Sequence, residues 1–160
     1  MRLRVAATVL AVAMAGLVAA TPVMAKSKTH HQMTAKTARA DYLKDVAPVN
    51  TALSAFVAAA HGWTGDTTAA QAEVSAQPLV AAVKKFQVKL EDSNWPKSND
   101  RTAADSLAVA AGGLNASLET LSTVNFLNDE EWLQSFDSAE NTLGVAANVM
   151  RHDLSLLPAL

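Results

Sequence analysis

Few groups in this 160-residue chain are spaced to do chemistry. The densest acidic run, Asp129-Glu130-Glu131, could join His61 as the acid and base of a hydrolytic site. The same run follows Asn128, and a capping residue trailed by acids in the first turn is also a strong helix start. Glu91-Asp92 is likewise explained by a helix end. His30-His31 could touch a metal, but no third ligand stands at metal spacing. Met33 and His152 fall at one end of the expected fold, as a pair of haem ligands would. Yet His152 projects away from the apolar face of its segment, and there is no Cys-x-x-Cys-His. Glu-x-x-His for a di-iron site, Gly-x-Ser-x-Gly and a Gly-rich phosphate loop are also missing. No catalytic residue, cofactor or metal site is expected, and the chain reads as non-enzymatic.

Binding is the better-motivated chemistry. Trp63 and Trp132, with Phe126, are expected at one end of the molecule. They would form either a pocket for an apolar or cationic group or a plug over the end of a core. Trp95 and Tyr42 at the opposite end allow the same two readings. Lys84, Lys85 and Lys89 could meet an anionic partner, and Asp129, Glu130 and Glu131 a cationic one.

The elements that must position these groups follow a leader. Arg2 and Arg4 precede a charge-free run from Val5 to Ala20, and Val23-Met24-Ala25 offers small residues for cleavage. Residues 1–25 therefore read as a secretory signal peptide, and the protein is expected to be secreted or held in the cell envelope. An uncleaved signal anchor is the alternative. Residues 26–34 read as a flexible lead-in and 35–160 as one domain. With no cysteine, the exported chain must be stable by packing alone. Its 11 basic and 15 acidic residues, formally −4, argue against a nucleic-acid surface. After the leader no run approaches the length needed to span a membrane, so no stable transmembrane anchor is expected after cleavage.

Four segments carry apolar residues three and four apart, the spacing of one helical face. They lie at about 35–61 (Tyr42, Val49, Phe56), 68–91 (Leu79, Val83, Phe86), 101–122 (Leu107, Leu114, Leu118) and 129–156 (Trp132, Phe136, Met150). Gly62 is expected as a left-handed cap, Thr68 with Gln71 as a capping box and Asp100 as the third segment's cap; Asn94-Trp95-Pro96 should end the second. Short connections predict an all-α, antiparallel up-down-up-down four-helix bundle. Pro48 and Pro78 should fall at one height, curving their helices or freeing a carbonyl; Gly112-Gly113 marks a weak point or a close helix crossing.

That topology polarises charge. No Lys or Arg occurs between Lys44 and Lys84, or between Arg101 and Arg151. All 11 basic residues of the exported chain share one half with 7 acids, formally +4, and the other half holds 8 acids, formally −8.

Three stretches also carry a resemblance: Asp41-Tyr42-Leu43-Lys44-Asp45-Val46-Ala47-Pro48-Val49-Asn50, Asn94-Trp95-Pro96, and Val149-Met150-Arg151-His152-Asp153-Leu154-Ser155-Leu156-Leu157-Pro158. Together they resemble small exported helical proteins of actinobacteria, some of them lipoproteins, whose function is uncharacterised. This chain departs from the lipoprotein members in lacking the lipid-bearing Cys. The resemblance implies export and a helical fold, and no catalytic residues. The expected function is binding of a partner or polymer in the envelope or extracellular space. The alternative is a small-ligand carrier with a cavity between helices.

Overall fold

A computed structural model describes residues 33–64, 66–124 and 130–157, with only the backbone of Glu130. The leader, His30-His31, Phe126, Asn128 and Asp129 lie outside the described residues. The described chain is all-helical: α1 (Ala35–His61), α2 (Ala69–Asp92), α3 (Ser98–Glu119), a short 3-10 turn (Thr120–Thr123) and α4 (Glu130–Asp153). They form the expected antiparallel four-helix bundle.

Local chemistry sets most boundaries. Thr34 caps α1 by accepting from the Thr37 amide at 3.2 Å. Thr68 and Gln71 form a complete capping box at the start of α2. Beyond α2, the buried Trp95 turns back and its indole N–H donates to the Leu90 carbonyl at 2.9 Å. The Met33 amide donates to the Asn94 carbonyl at 3.1 Å, so the end of the lead-in is tied to this turn.

Four local expectations need correction. Gly62 ends α1 in the right-handed region, its amide directed at the Ala59 and Ala60 carbonyls, and needs no left-handed freedom. α3 starts three residues early, after Lys97, which makes no side-chain cap. Asp100 is therefore not the cap but a buried acid in the first turn, where the exposed helix amides favour negative charge. Pro48 faces Ala82, Lys85 and Phe86 across the α1–α2 seam, at least one turn beyond Pro78, so the two prolines are not level. Finally, Gly112 and Gly113 do not mark a close crossing. A side chain at Gly112 would meet only Gln87, at 3.7 Å, and one at Gly113 nothing within 4 Å.

The core is one cluster drawn from all four helices, with Tyr42, Phe56, Leu79, Leu107, Leu114 and Met150 among its most deeply buried side chains. α3 is the central helix by packing. It lies close against α2 and α4, and its inner face carries small residues such as Ala103, Ala104, Ala108 and Ala111. Small side chains let backbones approach. α1 and α4 are held farther apart, and large side chains span the gap. Phe56 meets Phe136 with ring centroids 5.3 Å apart, and the Tyr42 hydroxyl reaches the Ala147 carbonyl at 3.5 Å.

α4 ends in a turn that holds Ser155 at φ 55°. There the Ser155 and Leu156 amides donate to the His152 and Arg151 carbonyls, satisfying groups that a helix end would leave bare.

Candidate functional site

The aromatic end is a plug. Trp63 meets Phe56 edge-on at 5.6 Å and Trp132 at 6.4 Å, and Trp132 stacks on Phe136 at 5.4 Å. Trp132 is buried, and its indole N–H donates to the Ser117 carbonyl at 3.0 Å, the same oxygen that accepts from Thr120 Oγ1. One face of the Trp132 ring is thus covered by Phe136, and Trp63 packs against both Phe56 and Trp132. Trp63 remains half-buried at the margin.

The acidic candidates do not assemble into a described site. Asp129 and the side chain of Glu130 lie outside the described residues, while Glu131 and His61 are exposed. His152 is exposed beside Asp153, with Nδ1 3.4 Å from a carboxylate oxygen. Among the described residues no group of three His, Asp or Glu side chains could hold a metal ion, and no helix is long and apolar enough to cross a membrane.

The three candidate lysines separate. Lys84 points along the bundle and pairs with Glu119 at 2.7 Å, joining the basic half to the acidic half. Both partners are more than half exposed, so the pair adds little stability. Lys85 and Lys89 turn the other way, into two adjoining clefts of about 260 and 370 Å³ on the α1–α2 seam. Lys44 lines both clefts from α1, a lysine that the sequence reading left out. Asp41 and Asp45 share the α1 wall, yet no carboxylate among the described residues comes within 4 Å of these three ammonium groups. Pro48 forms the floor's end. It has no N–H to give, so the Lys44 carbonyl one turn earlier loses its helical partner. The signal for Lys44 was available: it follows Asp41 by three residues and precedes Pro48 by four, on the face that meets α2.

At the same end, Tyr42 is buried between α1 and α4. Burial raises its phenol above the usual tyrosine value, opposed by the charge of Arg151 and its hydrogen bond. The raised value fits a structural tyrosine that stays neutral.

A third cleft, between α3 and α4, was not anticipated. It measures about 640 Å³ and its walls include Val109, Ala110, Gly113, Val145, Ala146 and Val149. Three of its valines are strongly exposed, Val109 at 76 %. The signal lay in pairs four residues apart, Val109 with Gly113 and Val145 with Val149, which the main apolar stripe does not use.

Comparison with known proteins adds no homologue to this geometry: no family model, no curated protein and no solved structure matches the chain.

Proposed function

We propose that this is an exported, non-enzymatic helical-bundle protein that binds a polymer of the cell envelope or extracellular space, and that the polymer is anionic. The observation that carries the proposal is the gathering of Lys44, Lys85 and Lys89 on one seam, free of ion-pair partners among the described residues. Unpaired ammonium groups beside a groove suit a repeating anion, which can run along the seam and touch each in turn. The contact is electrostatic, and salt weakens it over a Debye length of about 10 Å at 0.1 M.

Co-sedimentation of the purified chain with envelope material from its host tests the reading. Binding should fall about tenfold or more in a Lys44→Glu, Lys85→Glu, Lys89→Glu variant, and about 0.5 M salt should release the wild type, since screening shortens the field's reach. Lys84→Ala, which removes the partner of Glu119 without introducing a negative charge, should bind nearly as well. Binding indifferent to both salt and the triple reversal would refute the proposal. The alternative, a carrier of a small ligand between helices, has one observation in its favour, the α3–α4 cleft.

A further inference from the structure

The α3–α4 cleft is set apart from the rest of the surface by what lines it. Its ten wall residues include no charged side chain; Ser106, Asn141 and Thr142 are the polar ones. Both clefts on the α1–α2 seam contain lysine and carboxylate. Ser106 and Thr142 donate their hydroxyl hydrogens to the Thr102 and Ser138 carbonyls of their own helices. The Asn141 amide, exposed at the rim, makes no hydrogen bond within the described chain and keeps its donors and acceptor for an occupant. Gly113 leaves its part of the wall bare: a side chain there would meet nothing within 4 Å and would project into the open cleft.

Volume and charge together choose the occupant. About 640 Å³ falls inside the range of small-molecule sites, which are mostly apolar with a few placed polar groups. The cleft runs about 10 Å along α3, from Ser106 to Gly113, and about 15 Å along α4, from Ala139 to Val149. A strip of that length, two helices wide, falls far short of the roughly 800 Å² per partner that a stable dimer needs. A charged head seated against Asn141 would lose part of its hydration with no counter-charge in the walls to replace it.

We infer that the α3–α4 cleft binds an uncharged small molecule with a linear hydrocarbon chain. The chain lies along Val109, Val145 and Val149, and a hydroxyl or carbonyl head meets Asn141. This rests on the small-ligand reading and is independent of polymer binding on the α1–α2 seam.

The test uses 1-decanol as the probe and amide and methyl NMR of the purified chain as the readout. Saturable shifts confined to Ser106–Gly113 and Ala139–Val149 are expected. Val145→Lys, a change at an exposed position that keeps a good helix former, should weaken binding at least tenfold. Val74→Lys, equally exposed on α2, should leave it unchanged, as should the triple lysine reversal. The charged analogues decanoate and decyltrimethylammonium should bind at least tenfold more weakly than the alcohol. Four results would overturn the inference: no saturable shift up to the solubility of the alcohol, shifts centred elsewhere, equal or tighter binding of a charged analogue, or undiminished binding by Val145→Lys. Dimerisation that Val145→Lys abolishes would also overturn it, by assigning the face to a second copy.

Discussion

The two seams of α4 contrast. On one side α4 lies close to α3, yet the seam between them opens outward into an apolar cleft. On the other side α4 stands away from α1, yet Phe56, Phe136, Trp132 and Tyr42 are all buried across the gap. Backbone proximity and closure are therefore different things. Small residues bring helices together but cannot fill the angle above their line of contact, whereas rings fill wide gaps. On this protein the sealed seam buries aromatic rings and the open one leaves apolar side chains exposed.

The sharpest way to break that contrast is to empty the sealed side. Trp132→Ala removes a buried ring that touches Trp63 and Phe136 and donates to Ser117. It should cost about 3–5 kcal/mol in urea unfolding. A cost below about 1 kcal/mol, the range of ordinary surface changes, would mean the aromatic end is not a plug.

The sealed seam should also fail in alkali. Tyr42 is the chain's one tyrosine, so its ultraviolet absorbance reports on it alone. Its folded value is raised, so the neutral phenol is favoured in the fold. The associated stability is fully present below the unfolded value near 10 and is lost as pH rises through the higher folded value. Unfolding followed between about pH 9 and 12 should show this loss, and Tyr42→Phe should reduce it. Ionisation at the ordinary value would place the phenol in water.

Smaller effects sharpen the picture of the open side. Gly113 sits inside a helix with space beside it, so Gly113→Ala should stabilise by about 0.5–1 kcal/mol in the same assay. Destabilisation would show that the backbone there is needed bare. Val145→Lys should change stability by less than about 0.5 kcal/mol, because the valine is already in water. A larger cost would mean the cleft is closed in solution.

How much of this was legible beforehand depends on the kind of signal. The bounds of α1, 35–61, follow from apolar spacing, and the capping box places α2 within a residue. Each is a local pattern with a local cause. The start of α3 was misplaced because Asp100 has a capping side chain but is buried in the first turn, where packing governs it. The heights of Pro48 and Pro78 depend on how one helix slides along another, which no local residue records. The same holds for Lys84, which belongs to the basic half by its place in the chain and yet reaches Glu119 across the helix pair. The α3–α4 cleft was missed for a further reason: Ala110 in the core and Ala146 on its margin look alike in a periodic pattern. Whether valines beside them are covered depends on the third dimension. The sequence offers both pocket and plug for Trp63 and Trp132, and their packing on Phe56 and on each other is a matter of ring geometry that spacing does not record.

The contrast between the seams is best tested by NMR with a soluble nitroxide that broadens only solvent-exposed protons. The methyls of Val109, Val145 and Val149 should broaden as strongly as those of Val74, while the rings of Phe56 and Phe136 and the indole N–H of Trp132 stay sharp. Cleft methyls as protected as the core, or a Trp132 indole as broadened as the valines, would contradict the account.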